Sequence, residues 1–144
     1  LKLRLLFALL FVVPLASFAG EKKQLPRLEI DAAPACKMDA ESFFNTLVAQ
    51  DMIVTKPVRE NNTFSVFRPH FGRPLYAQGM RVSMVFGYVR DQIIFRQPGQ
   101  PVEFYGIVVD AGIANVQAVL SSIGSSAKTR FVNLNRTEIT CIGA

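Results

Sequence analysis

Two cysteines, Cys36 and Cys141, stand near opposite ends of this 144-residue chain. Whether they are bonded decides how everything between them folds. A bond joins the start of the folded region to its last segment, and on the chain-entropy view so long a loop is worth up to ~4.7 kcal/mol. Cytosolic thiols stay reduced, whereas exported pairs oxidise. The constraint therefore depends on the compartment.

The N-terminal residues supply the compartment. Lys2 and Arg4 make a short positive region, residues 5–13 are an unbroken apolar run, and Ser17-Phe18-Ala19 places small residues at −3 and −1 of a signal-peptidase site. The pattern predicts an export signal over 1–19, cleaved after Ala19. The apolar run is shorter than the ~20 residues a bilayer span needs, and Pro14 interrupts it. No cysteine follows it directly, so no lipid anchor is expected. The expectation is a periplasmic or secreted protein, without stable membrane insertion, carrying a Cys36–Cys141 disulfide. Leu1 in place of Met fits a bacterial start codon read literally, or a trimmed start; the first favours the periplasm.

Loss of Lys2 and Arg4 lowers the formal charge from +5 to +3. So mild a charge on an exported chain argues against a nucleic-acid partner. Half the residues are hydrophobic and twelve are Phe, which suits one packed domain over 36–144 and not a disordered chain.

Residues 20–35 are polar and contain two prolines, the pattern of an extended N-terminal arm in which Leu25, Leu28 and Ile30 can add an edge strand. Asp39 is a good N-cap, Glu41 lies in the first turn, and Phe43, Phe44, Leu47 and Val48 recur at helical spacing, so a helix is expected over 40–50. Residues 52–54 read as a short strand, 60–62 as a turn, 63–68 as a strand and 69–74 as a loop, since two prolines and a glycine forbid a helix there.

Over 80–89, Val82, Met84, Phe86 and Tyr88 alternate with Arg81, Ser83 and Gly87, predicting a strand with the first set on one face. Residues 92–97 read as the next strand, Pro98-Gly99 as a type II turn, and 101–109 as the third strand of an antiparallel meander. Ile113, Val116, Leu120 and Ile123 predict a helix over 113–123 stopped by Gly124. Short strands over 128–134 and 137–142 follow. The order gives an α+β fold: an antiparallel sheet, formed by the meander over about 80–109 and the C-terminal strands, with both helices packed on one face.

Catalytic patterns are missing. His70 is the sole histidine, which excludes a two-histidine scheme, and no clustered metal ligands, calcium-loop pattern, nucleophile elbow or phosphate loop appears. Glu103 and Asp110 sit ~23 Å apart on one extended strand, too far for a glycosidase pair. No catalytic residue, metal or cofactor is assigned, and an enzyme would need an unfamiliar site.

One segment concentrates recognition chemistry. Phe67, Arg68, His70, Phe71, Arg73 and Tyr76 share a stretch stiffened by Pro69 and Pro74. Aromatic and arginine side chains are favoured interface anchors, and a stiffened loop loses less entropy on binding. Arg81, Arg90 and Arg96 offer further cations; Arg81 and Arg96 are expected to join Arg68 and Arg73 in one basic surface. The expected function is a non-catalytic binding domain of the inhibitor or immunity type, whose partner is another exported or envelope protein. The alternatives are an accessory factor of the envelope or a secretion system, docking through a sheet edge or the 20–35 arm, and a small enzyme. Oligomeric state is not legible.

Overall fold

Both helices form where apolar spacing and capping residues place them. The computed structural model describes residues 26–143; the expected export signal lies outside the described residues. Helix α1 runs Ala40–Ala49, with Asp39 Oδ1 accepting from the Ser42 amide at 2.6 Å. That bond holds the Asp39 carboxyl below its ordinary value. Helix α2 runs Ile113–Ser122 and stops at Gly124, in the left-handed region at φ 64°. The Ser125 amide then donates to Leu120 O and the Gly124 amide to Ser121 O, which satisfies carbonyls the helix leaves open.

Among the described residues, eight strands make a mixed, open sheet: β1 Leu28–Glu29, β2 Arg59–Glu60, β3 Ser65–Phe67, β4 Leu75–Ala77, β5 Met80–Tyr88, β6 Phe104–Val109, β7 Lys128–Asn133 and β8 Arg136–Ile142. The order is β1-β4-β5-β6-β8-β7, with β3 also against β5 and β2 against β3. All pairs are antiparallel except β1 with β4. On one face Val82, Val85, Ile107, Val109 and Ile139 pack with Phe43, Phe44 and Leu47 of α1 and Val116 and Leu120 of α2, forming one core. On the other face Phe64, Phe86 and Phe104 form a small aromatic layer, with centroids 6.1–6.3 Å apart. The α+β class is as the sequence indicates.

Four details differ from the sequence reading. First, the β5–β6 ladder is irregular between Val82 and Met84. An extra residue there reverses the alternation, so Val82 and Val85 share the helix-covered core while Phe86 joins the aromatic layer on the opposite face. Second, residues 92–97 are not a strand. Phe95 turns in to meet Phe44 and Phe67, and Ile94 is buried, so this stretch covers the core as an irregular segment. Third, Gly99 is not among the residues with positive φ, as a type II turn requires, so no tight hairpin joins this segment to β6. Fourth, among the described residues of the expected arm only β1 is extended: residues 33–35 form a 3₁₀ turn with Ala33 and Pro34 buried.

That turn is where the disulfide acts. Cys36 and Cys141 are bonded, with Cα atoms 5.3 Å apart and 105 positions apart in sequence. Cys141 lies on β8 opposite Tyr105 of β6. The Tyr105 hydroxyl donates to Ala33 O at 2.8 Å, its ring stacks on Phe43 at 4.2 Å, and Ser125 Oγ donates to Pro34 O. Burial, then the nearby Asp39 charge, pushes the Tyr105 phenol up to about 12. The N-terminal turn is thus fixed to the central sheet by a covalent bond and the Tyr105 hydroxyl, and to the loop after α2 by Ser125.

Candidate functional site

Strands β3 and β4 run in the same direction along the same edge of β5, and residues 68–74 leave the sheet between them. Phe67 pairs with Val85, and Tyr76 with Arg81. The eight residues 68–75 therefore face only the three residues 82–84 of β5. The surplus chain bulges outward, as two prolines and Gly72 (φ 75°) demand.

The bulge is braced from below by the segment after α1. Val54 N donates to Arg68 O at 2.9 Å, His70 N donates to Met52 O at 3.3 Å, and Ile53 bridges Pro69. The His70 ring meets Asp51 with Nε2 2.8 Å from Oδ1. Because a carboxylate only accepts, Nε2 carries the proton in this pair. Arg73 Nη1 reaches toward Asp51 O at 3.5 Å. Asp51 itself has φ 53°, in the place Gly124 fills at the end of α2.

Between bulge and sheet lies a groove of about 640 Å³, lined by Arg68, His70, Phe71, Tyr76, Arg81, Ser83, Asp110 and Arg136 among others. Phe71 is 82% exposed, and the Arg68 guanidinium sits 4.7 Å above its ring. Arg27 covers Tyr76 in the same way at 3.5 Å. Asp110 binds Arg136 with Oδ1 3.1 Å from Nε. Among the described residues, no carboxylate lies within ion-pair distance of Arg68 or Arg81.

The structure thus brings Arg68, His70, Phe71 and Tyr76 to one groove, with Arg73 beside it. Phe67 is the exception. It is fully buried, on the core side of β3 against Phe44 and Phe95, and presents nothing to a partner. The expected single basic surface is also divided. Arg81 joins Arg68, but Arg96 lines a separate cavity with Thr55, Lys56 and Ile93, and Arg90 donates to Gln100 O at 3.0 Å. The acids flanking β6 have local roles: Glu103 accepts the Arg90 amide at 2.8 Å, while Asp110 holds Arg136.

Sequence reasoning missed Asp51, Asp110, Ser83 and Arg136. Asp51 carried a usable signal: an acid just past a helix C-terminus opposes the macrodipole and stands where glycine is favoured. The other three reach the groove only through strand order. Among the described residues no three acids, histidines or cysteines converge as a metal cluster would, and no helix is long and apolar enough to cross a membrane. Compared with known proteins, the chain matches no family model, no curated protein and no solved structure.

Proposed function

We propose that this is an exported, non-catalytic protein-binding domain of the inhibitor or immunity type, which grips another exported or envelope protein with the 68–76 bulge. The observation that carries the reading is Phe71: a large aromatic ring held 82% exposed at the crest of a segment braced by two prolines, two backbone hydrogen bonds to residues 52 and 54 and the Asp51–His70 bond. An exposed ring of this size leaves apolar surface in water that a partner's pocket removes, at ~25 cal/mol per Å². Holding it on a stiff segment spares the ordering entropy that binding otherwise costs. Arg68, stacked on the ring, adds a second anchor of the type enriched at interface hot spots.

Export is part of the proposal. It rests on the charged, apolar and small-residue pattern of 1–19 and on the Cys36–Cys141 bond, which suits an oxidising compartment.

Site-specific photocrosslinking tests the assignment. A photoreactive residue at position 71 is expected to trap a discrete partner in the periplasm. One at Ile93, 94% exposed in the segment before β6, is expected to trap none. Equal trapping from both positions overturns the site.

A second reading is favoured by one observation. Among the described residues the outer edge of β7 has no partner strand, and Phe131 and Leu134 are exposed there, so an accessory factor would dock by strand addition. Proline at Thr129, which breaks such pairing, distinguishes the two: partner capture survives it if the bulge is the site.

A further inference from the structure

The groove has a second wall that the bulge does not supply. On its far side stand Arg81 at the start of β5 and Arg136 at the start of β8, brought together by strand order from positions 55 residues apart in the chain. We propose that this wall takes an extended acidic segment of the partner protein, seated between the bulge and β5; the inference rests on the protein-binding reading above and specifies what the partner presents.

Two independent features point to that occupant. The first is charge. Arg68, Arg81 and Arg136 face the groove against a single acid, Asp110, and Asp110 engages only the Nε of Arg136. The planar ends of Arg81 and Arg136 therefore remain as donors. A guanidinium matches a carboxylate in paired, parallel hydrogen bonds, and such charge-assisted pairs are about twice as strong as neutral ones.

The second is backbone. Residue 81 pairs with β4 and residue 85 with β3, but over residues 82–84 β5 has no ladder partner on this side. Such a gap in a sheet edge admits a short extended chain, whose main chain bonds to the strand while alternate side chains reach into the groove. A phosphate-bearing lipid or polyanion satisfies the arginines but makes no use of the gap. An extended acidic peptide uses both, with the rings of Phe71 and Tyr76 along its apolar side chains.

A random peptide display library, panned on the oxidised domain, is the test. Enriched peptides are expected to carry acids at alternate positions. They should bind at least ~10-fold more weakly when those acids become Gln, and when the domain carries Arg81→Glu with Arg136→Gln. Both arginines are exposed, and an unchanged melting temperature and intact disulfide verify the variant's fold. The conservative Arg81→Lys should keep the charge but lose part of the affinity. Enriched peptides without acids, or equal binding to the charge variant, overturn the acidic-segment inference; if those peptides still depend on Phe71, the protein-binding reading stands without it. Failure to enrich any peptide that depends on Phe71 or the arginines overturns both. Anionic vesicles or polyphosphate binding through Arg81 and Arg136 as tightly as the best peptide also overturns the peptide assignment.

Discussion

His70 Nε2 lies 2.8 Å from Oδ1 of Asp51, and Asp51 holds that position only by adopting a left-handed backbone conformation. Both helices end in the same hydrogen-bonded motif. Met52 N donates to Leu47 O and Asp51 N to Val48 O after α1, as Ser125 and Gly124 do after α2. Glycine takes the left-handed place without steric cost in α2, whereas a non-glycine residue there costs ~1–2 kcal/mol. The return on Asp51 is the bond to His70, which ties the helix end to the 68–76 bulge.

Replacing Asp51 with Gly therefore separates stability from function. The relief of backbone strain and the loss of an exposed pair worth ~0–1 kcal/mol nearly cancel. Urea unfolding is expected to stay within ~1 kcal/mol of the parent. Hydrogen exchange at the His70 amide, which donates to Met52 O, is expected to quicken, and partner binding to weaken. A large loss of stability contradicts a role confined to bracing the bulge.

The disulfide carries a larger share of stability. Cys36→Ala with Cys141→Ala frees a loop of 105 residues and releases the 33–35 turn from β8. A loss of ~2–5 kcal/mol is expected in denaturant titration, with the direction reproduced by reduction of the parent. A change below ~1 kcal/mol means that the Tyr105 and Ser125 hydroxyls alone hold the turn.

Tyr105 makes stability depend on pH in the alkaline range. Its phenol is raised to about 12 in the fold, against ~10 in the unfolded chain. Below pH ~10 both states keep the proton and the contribution is full. Above it the unfolded state loses its proton first, so stability falls as pH rises toward 12 and then levels. Urea midpoints at stepped pH, compared with Tyr105→Phe, check this. The variant is expected to show the smaller alkaline decline.

Gly106 is required by the aromatic layer. A Cβ built there collides with the ring of Phe86, which lies across β6 at this point. Gly106→Ala is expected to cost ~1–3 kcal/mol in thermal or urea unfolding. Phe86→Leu, which withdraws the ring, should reduce the cost of the second substitution. Simple additivity of the two contradicts the contact.

Local patterns were legible where local physics decided them. Asp39, the Phe43-Phe44-Leu47 spacing and Gly124 set both helices to within a residue, and the expectation of export paired Cys36 with Cys141. The faces of β5 were not legible, because the irregularity at residues 82–84 exists only relative to β6. Residues 92–97 alternate like a strand yet find no partner; Phe95 gains more by turning into the core. The same limit explains the site. Aromatic and arginine density marked the bulge, while Phe67 alternated inward with β3. Arg136 and Asp110 joined the groove only when β8 took its place beside β6.

The 68–76 bulge is proposed to bind the partner, and affinity measured on that element tests the proposal. A partner trapped at position 71, once purified, is to be titrated against the oxidised domain and its triple variant Arg68→Ala, Phe71→Ala, Arg73→Ala. A loss of at least ~100-fold in affinity is expected with the melting temperature held, since two or three hot-spot truncations cost that much. Unchanged affinity in the folded variant contradicts it.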